Sequence, residues 1–381
     1  MSTEIAPRTV HQPPLSLRDV ETSAAAHVPP DIWDFISGGS GDEAVLRRNR
    51  DALDRVCLTP RVLRGHAEPS TAGLLLGSPT GLPTAVAPMA YQQLVDEQGE
   101  LAAARAARAD DVPYIASTLS SFTIEEITAQ GAVTWFQLYW LRNRSRVVEL
   151  VERAEAAGCQ ALVLTVDVPR MGRRLRDVRS GFSLPSAVRA ANLPPTEAHT
   201  ARMGLDGSSA IMRHTAEALE PALSWTDVEW LRERSRLPLV LKGILDTADA
   251  VRAVGAGADA LVVSNHGGRQ FDSAPASIDV LADVVAAVPD SCEIFLDSGV
   301  RSGTDILKAL ALGARGVLIG RPVLWGLACA GERGVRDVLS ILRQELGDAL
   351  AIGGCADLVD ARRLRVTRET HCPNDHGGEL H

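Results

Sequence analysis

Eight short apolar runs recur along the chain, and segments of helical periodicity separate them. Each run is a near-continuous series of Val, Ile, Leu and Ala, which is typical of strands buried on both faces of a parallel sheet. The runs span residues 84–90, 113–118, 134–140, 161–168, 238–244, 260–266, 293–299 and 316–321, and the clearest helices are predicted at 144–158, 246–257, 277–288 and 304–314. Eight such units favour a closed (β/α)₈ TIM barrel, an α/β fold, over an open doubly wound sheet.

The 381-residue chain divides into one large domain and two tails. Residues 1–18 are rich in proline and polar side chains, and residues 367–381 are polar with three histidines, so both ends are predicted to be flexible. Residues 19–366 then form the barrel domain. The connection after the fourth strand, residues 169–224, is long and has few apolar runs, and it contains Pro185, Pro194 and Pro195, so we expect it to cover the active-site face of the barrel.

Composition excludes several classes of protein. The chain has 39 basic and 48 acidic residues, a net charge of −9, and no basic run, which argues against a nucleic-acid partner. Its 6 cysteines are scattered without a C-x-x-C pair, which indicates free thiols in a reducing compartment and no metal cluster. The apolar runs are far shorter than a membrane span. We therefore expect a cytoplasmic protein with no membrane partner and no bound metal.

In a barrel of this type the active site lies at the carboxyl ends of the strands. The residues that end the predicted strands are Ala90, Ser117, Gln137, Tyr139, Thr165, Asp167, Lys242, His266, Asp297, Gly320 and Arg321. A single polar residue at such a place more often caps a helix or satisfies loop backbone. So many reactive groups at one rim predict a catalytic site.

Two glycine-containing segments end the last two strands and suggest a phosphate site. They are DSGVRSG at 297–303 and IGRP at 319–322, where glycine permits close backbone approach and Arg301 and Arg321 supply positive charge. Either segment alone is as readily a plain turn before a helix. At adjacent strands of a barrel they favour a phosphate, either of a phosphorylated substrate or of flavin mononucleotide (FMN).

The segment SNHGGR at 264–269 combines a potential base with a potential anion-binding group. His266 ends the sixth strand and Arg269 follows three residues later, while Asp167 could orient the imidazole and stabilise its protonated form. Lys242 ends an apolar strand, and the residues alone leave two roles open for it, a Schiff-base nucleophile or a fixed positive charge.

These residues together carry a family resemblance. The segments WFQLYW, LTVDVPRMGRRLRDVRSGF, LVLKGI, VVSNHGGRQFD, IFLDSGVRSGTDILKALALGA and VLIGRP occur in this order between about residues 30 and 365. In them the chain resembles the FMN-dependent 2-hydroxy-acid oxidases and dehydrogenases, which act on glycolate, lactate and mandelate. Within that family it is most similar to the 4-hydroxymandelate oxidases.

The resemblance implies a role for each site residue. It makes His266 the base, Asp167 its partner, and Arg174 and Arg269 the anchors of the substrate carboxylate, with Tyr139 facing the substrate hydroxyl. The residues that it assigns to FMN are Ala87, Pro88, Met89, Ala90, Ser117, Gln137, Thr165, Lys242, Ser264, Asp297, Ser298, Gly299, Arg301, Gly320 and Arg321. In this role Lys242 stabilises the reduced flavin by its charge.

Three departures from the common family pattern bear on the substrate. Phe35 stands where small-acid members usually have a carboxylate-binding tyrosine, Leu119 where glycolate oxidases have a tryptophan, and Met89 where a threonine is usual. Losing a hydrogen bond to a charged group costs about 1.5–3 kcal/mol, and burial of an aromatic ring returns a comparable amount. We therefore expect an aryl (S)-2-hydroxy acid, mandelate or 4-hydroxymandelate, to be oxidised to the 2-oxo acid.

Other readings remain open at this stage. The substrate is alternatively a small or aliphatic 2-hydroxy acid such as lactate or glycolate, and the oxidant a soluble carrier rather than dioxygen, the acceptor we expect. Oxidative decarboxylation would follow if the product were retained with peroxide. More distant alternatives are a Schiff-base lyase that uses Lys242 and a non-catalytic flavin-binding protein. The resemblance also suggests a homotetramer.

Overall fold

The computed structural model describes residues 13–66, 68–194 and 218–369, and it contains the predicted barrel. Eight parallel strands close on themselves, because the last strand pairs with the first. In chain order they are β4 (Thr84–Val86), β5 (Tyr114–Ser117), β6 (Thr134–Leu138), β7 (Ala161–Thr165), β8 (Leu239–Ile244), β9 (Ala260–Val263), β10 (Glu293–Leu296) and β11 (Gly316–Ile319). All eight lie within the predicted runs, so the α/β barrel is confirmed.

Helices surround the barrel and also precede it. Those of the described residues are α1 (Leu17–His27), α2 (Pro30–Ser37), α3 (Ala44–Asp54), α4 (Gly99–Ala109), α5 (Ile124–Thr128), α6 (Arg144–Ala156), α7 (Leu175–Ser180), α8 (Trp225–Arg232), α9 (Thr247–Gly255), α10 (Ser277–Ala287), α11 (Gly303–Ala311), α12 (Arg321–Gly353) and α13 (Leu358–Ala361). The long α12 bends at Ala330 and Gly331. The four helices predicted most clearly correspond to α6, α9, α10 and α11.

The strands are buried on both faces, as their composition predicts. Inside the barrel, side chains such as Trp135 and Phe295 are fully buried, and their rings lie 5.7 Å apart at 58°. Outside, the strands pack against the helices. Because the interior is filled, ligands have access only at the ends of the barrel.

Two small antiparallel sheets accompany the barrel, and the sequence patterns did not predict them. The hairpin of β2 (Gly73–Leu75) and β3 (Ser78–Thr80) inserts the fully buried Leu75 among the interior side chains. The second sheet pairs β1 (Val56–Thr59) with β12 (Arg365–Arg368).

The predicted limits of the two tails are wrong by a few residues on their inner sides. Leu17 begins α1, because the Ser16 side chain accepts a hydrogen bond from the Asp19 amide and Leu17 is buried. At the other end, Thr367 and Arg368 belong to β12, which is paired with β1. The predicted flexibility of residues 1–12 and 370–381 lies outside the described residues.

The connection after β7 covers the barrel mouth where it is described. It contains α7, and its residues Met171 and Arg174 line a cavity at the carboxyl ends of the strands. Residues 195–217 of this connection lie outside the described part of the chain. Among the described helices, none has the length and apolarity needed to cross a membrane.

Candidate active site

A cavity at the carboxyl ends of the strands contains most of the predicted site residues. The volume of the cavity, including the open space at its mouth, is about 1100 Å³. The predicted residues that line it are Phe35, Ala87, Pro88, Met89, Ala90, Ser117, Leu119, Tyr139, Arg174, Lys242, His266, Arg269, Asp297, Ser298, Gly299, Arg301, Gly320 and Arg321. Most of these positions are far apart in sequence and converge on one site because they lie at or just beyond the carboxyl ends of the barrel strands, whereas Phe35 comes from α2 and Arg174 from the connection after β7.

Three of the four remaining predicted residues, Gln137, Thr165 and Ser264, lie directly behind this wall. Gln137 accepts a hydrogen bond from the Ser117 hydroxyl at 3.1 Å and donates one to the Thr165 hydroxyl at 3.0 Å. The Ser264 hydroxyl accepts from the Lys242 ammonium at 3.0 Å. These three residues are buried and fix the orientation of groups at the cavity surface.

His266 and Asp167 form a hydrogen-bonded pair. The imidazole Nδ1 lies 3.1 and 3.2 Å from the two carboxylate oxygens, so the other ring nitrogen, Nε2, is the one available to a ligand. Burial alone would raise the pKa of Asp167, but the charge and hydrogen bond of His266, together with Lys242, lower it below its usual value. Asp167 is therefore an anion beside the imidazole and stabilises its protonated form.

The backbone around His266 is held in an unusual conformation. His266 has a φ of 59°, in the left-handed region, and the two glycines that follow it also have positive φ. The Ser264 hydroxyl accepts from the His266 amide at 3.0 Å, and the Ser298 hydroxyl accepts from the Gly267 amide at 3.0 Å. These bonds compensate the strain and turn the imidazole toward the cavity.

Lys242 is a buried cation with a carboxylate partner. Its Nζ lies 2.9 Å from Asp297 Oδ2, and the two side chains are only 6% and 10% exposed. Burial would lower the pKa of Lys242, but the charges of Asp297 and Asp167 raise it above its usual value. A protonated ammonium is not a nucleophile, so this geometry favours the fixed-charge role and disfavours the Schiff-base lyase.

Two guanidinium groups and the Phe35 ring form one side of the cavity. Arg174 and Arg269 lie 5.6 and 5.3 Å from the Phe35 ring centre. Phe35 stacks on Phe182 with ring centres 4.6 Å apart and planes at 11°. Arg269 donates to the Phe35 carbonyl at 2.8 Å. The pair of arginines thus rests on an aromatic platform and can bind a carboxylate.

The charge on this side is incompletely balanced. Burial lowers the pKa of Arg269 well below its usual value, and repulsion from Arg174 and Arg321 adds to the effect. Asp177 is the nearest carboxylate to Arg174, at 3.7 Å. The Nε of Arg174 is buried and has no hydrogen-bond partner among the described residues. An anionic ligand would satisfy this group and reduce the repulsion.

Arg301 and Arg321 bring two further positive charges to the cavity. Within the described chain neither forms a salt bridge with a carboxylate; Arg321 donates to the carbonyls of Ile36, Gly38 and Gly267 at 3.2, 2.8 and 2.9 Å. Burial lowers the pKa of Arg301 to about 10, and burial with repulsion from Arg301 lowers that of Arg321 to about 9. A dianionic phosphate between them would offset this repulsion.

The walls between these charged groups are apolar. Met89 and Leu119 line the cavity, and a Cβ built on Gly320 would come within 3.7 Å of the Met89 sulfur. Tyr139 also lines the cavity, and burial, with the charge of Asp167, raises its pKa to about 12. Tyr139 is therefore neutral and can donate a hydrogen bond at ordinary pH.

The sequence reasoning missed several residues of this site. Ile36, Tyr91, Met171 and Leu324 also line the cavity, and Phe182 supports Phe35 from the connection after β7. Tyr91 directly follows the predicted segment 87–90, so extending that segment by one residue would have found it. The others carry no chemical signal, because apolar residues on helices and loops are common.

The residues present fit FMN. The cavity offers an apolar cleft, a buried cation at Lys242 for the flavin ring, polar strand-end groups such as Ser117, and two arginines for a phosphate. No cluster of metal ligands occurs among the described residues. The arginines, the buried ammonium and the apolar cleft are the groups that a flavin phosphate and ring require.

The sequence model of the FMN-dependent dehydrogenase family matches residues 24–368, and the chain belongs to this family. It is an FMN-dependent 2-hydroxy-acid oxidase in class, and FMN is its cofactor. A 4-hydroxymandelate oxidase of Amycolatopsis orientalis is 53% identical over 353 residues, which cover 92% of this chain and 98% of that protein. An L-lactate oxidase of a Nostoc species is 47% identical over 357 residues, covering 91% of this chain and 96% of that protein.

A solved structure of similar fold carries a ligand. The crystal structure of mandelate oxidase with (S)-4-hydroxymandelic acid superposes with a TM-score of 0.91 and 52% identity, covering 93% of this chain and 99% of that one. This similarity agrees with the barrel and with the cavity at its mouth.

Proposed function

We propose that this enzyme oxidises an aryl (S)-2-hydroxy acid, mandelate or 4-hydroxymandelate, to the corresponding 2-oxo acid and reduces dioxygen to hydrogen peroxide. The observation that carries the proposal is the meeting of an imidazole–carboxylate pair and two guanidinium groups in one cavity with apolar walls. The relatives named above act on 4-hydroxymandelate and lactate, and Phe35 and Leu119 favour the aryl acid because they offer apolar surface to the ring.

The residues act in complementary ways. Arg174 and Arg269 bind the substrate carboxylate and fix the carbinol carbon. Nε2 of His266 accepts a proton from the substrate, and Asp167 stabilises the resulting imidazolium. FMN, which Lys242, Ser117, Arg301 and Arg321 would hold, would supply the two-electron oxidation of the carbinol carbon. Overall the substrate loses two electrons and two protons, and dioxygen gains both to give hydrogen peroxide.

Steady-state turnover of mandelate, 4-hydroxymandelate, L-lactate and glycolate tests the substrate class. We expect the aryl acids to have the highest kcat/KM. A higher kcat/KM for lactate or glycolate would instead support the small-acid alternative, which the 47% identity to an L-lactate oxidase favours. Enantiomers of mandelate measured separately test the (S) preference.

The acceptor is tested separately. Stopped-flow mixing of substrate-reduced enzyme with dioxygen should give rapid re-oxidation and stoichiometric peroxide. Slow re-oxidation, accelerated by a quinone or carrier, would indicate a dehydrogenase. Product analysis by mass distinguishes the 2-oxo acid from a decarboxylated acid.

We also propose that the enzyme is a cytoplasmic homotetramer. The described cysteines are free thiols, which suits a reducing compartment. Leu63 and Ile352 are 101% and 77% exposed outside the cavity, and their burial against another copy of the chain would contribute to assembly. Light scattering on the purified protein should give about four times the 40.6 kDa of one chain, whereas a monomeric mass would contradict the proposal.

A further inference from the structure

We infer that Gln270 is a positioning residue that fixes the segment 167–174, here the Asp167 loop, against the segment 266–270, here the His266 turn. The Asp167 loop carries the partner of the base and one anchor, and the His266 turn carries the base and the other anchor. The inference rests on the proposed function, because it concerns the geometry of that same site.

The side-chain amide of Gln270 bonds to the Asp167 loop at three points. Its Oε1 accepts from the Gly172 amide at 2.9 Å, and its Nε2 donates to the carbonyls of Asp167 and Arg170, each at 3.0 Å. These contacts join residues 98 to 103 positions apart in sequence. One neutral side chain therefore supplies a donor and an acceptor to a loop that has no regular secondary structure.

The two segments also touch directly through their backbones. A Cβ built on Gly172 would lie 2.4 Å from the Arg269 carbonyl oxygen and 2.7 Å from that of Gln270, so only glycine permits this approach. From the other side, Gly243 has a φ of 114°, and a Cβ there would lie 2.5 Å from the Asp167 Cβ. Asp167 is thus confined between β8 and the Gln270 amide.

The position of this loop matters because its side chains are weakly fixed by themselves. Arg174 lies 3.7 Å from Asp177, longer than a hydrogen bond, and its buried Nε has no partner among the described residues. Asp167 lies 3.1 Å from His266, so a displacement of about 1 Å would break the pair. Both groups therefore depend on where the loop backbone is held.

Gln270→Met tests the inference, because methionine has a similar length and cannot reproduce the three hydrogen bonds. Gln130→Met is the matched control. Gln130 is also half-buried and donates to a backbone carbonyl, that of Glu126 at 3.0 Å, but it does not line the cavity. Both FMN-loaded variants are compared with the wild type by hydrogen–deuterium exchange, FMN content, thermal unfolding, and kcat and KM for mandelate.

We expect faster exchange in peptides covering the Asp167 loop of the Gln270→Met enzyme, with FMN content retained. Its kcat/KM should fall about tenfold to a hundredfold, with a higher KM from the displaced anchor and a lower kcat from the displaced base partner. The control should match the wild type. Unchanged loop exchange with kcat and KM within threefold of the wild type would overturn the inference.

A second variant covers the case in which Gln270→Met does not fold. Gln270→Asn keeps the amide but withdraws it by one methylene, and we expect an intermediate increase in exchange and loss of kcat/KM. A uniform rise in exchange over the whole chain would also overturn the inference, because it indicates a general structural role. If the wild type oxidises none of the acids, the proposed function fails, whereas the exchange comparison still tests the loop.

Discussion

The pair formed by Asp167 and His266 gives the most quantitative prediction. We expect Asp167→Asn to keep the shape of the site, since asparagine is nearly isosteric and its carbonyl oxygen can still accept from Nδ1. What the variant loses is the negative charge. The attraction between that charge and His266 is strongest after the imidazole has accepted the substrate proton, so its loss should slow catalysis more than it weakens binding.

The geometry sets the size of the effect. Nδ1 and the carboxylate oxygens are 3.1 and 3.2 Å apart, and the side chains of His266 and Asp167 are 20% and 12% exposed. Unit charges about 4 Å apart interact by about 4 kcal/mol at the effective dielectric constant near 20 that suits such sites. Since 1.4 kcal/mol is about tenfold in rate, kcat should fall about 10³-fold.

Stopped-flow flavin reduction by mandelate measures this step directly, and titration with the aryl 2-oxo acid measures binding. The affinity for the 2-oxo acid should change by less than about tenfold, because the 2-oxo acid has no carbinol proton to transfer to the imidazole. Asp279→Asn is a suitable control, since Asp279 pairs with Arg368 at 2.8 Å and does not line the cavity. A rate within tenfold of the wild type, or a loss confined to binding, would refute this reasoning.

Substitutions test three further features. Phe35→Tyr adds a hydroxyl beside Arg174 and Arg269, so kcat/KM for glycolate or lactate should rise by about tenfold to a hundredfold in steady-state assays. An unchanged ratio of this kcat/KM to that for mandelate would contradict the prediction. Burial raises the pKa of Glu100 from 4.5 to about 7, so the folded state favours the neutral carboxyl group. The stability that this group contributes is complete below pH 4.5 and is lost as the pH rises through 7. Glu100→Gln should therefore raise the melting temperature relative to the wild type at pH 8 but not at pH 4.5. A melting temperature below that of the wild type at both pH values would refute this prediction. Lys242→Met leaves the Asp297 carboxylate without its partner and should lower the free energy of unfolding by about 3–5 kcal/mol, as thermal unfolding can measure. The double variant Lys242→Met, Asp297→Asn should recover part of this loss. Equal stability of the single and double variants would be inconsistent with a buried ion pair.

The sequence predicted the barrel because its signal is repeated. Each strand is a short apolar run between helical segments, and eight repetitions leave few other arrangements. The ends of the strands were less predictable. His266 and Asp297 belonged to predicted runs but lie just beyond β9 and β10, because the backbone turns out of strand conformation at His266 and Ser298, which have positive φ. A residue just after a strand can continue the sequence pattern of the strand although its backbone is no longer extended, so the pattern does not locate the end of the strand.

The candidate site was predictable to the extent that it consists of polar residues at strand ends. Phe182 and Gln270 show what escapes such reasoning. Phe182 reaches Phe35 from a connection whose path no periodicity defines. Gln270 belongs to the segment VVSNHGGRQFD, which carries part of the family resemblance. Its proposed role depends on backbone groups about 100 residues away in sequence, and only the three-dimensional structure shows that these groups lie next to it.

The cavity combines two kinds of anion site with one apolar region between them. Arg301 and Arg321 lie where a phosphate is expected, and Arg174 and Arg269 lie on the Phe35 platform where a carboxylate is expected. Repulsion from Arg174, which belongs to the other pair, contributes to lowering the pKa of Arg321, so the two pairs interact electrostatically across the cavity. An anion bound at one pair partly cancels the positive potential at the other, so the charges alone should make the cofactor phosphate and the substrate carboxylate each weaken the binding of the other.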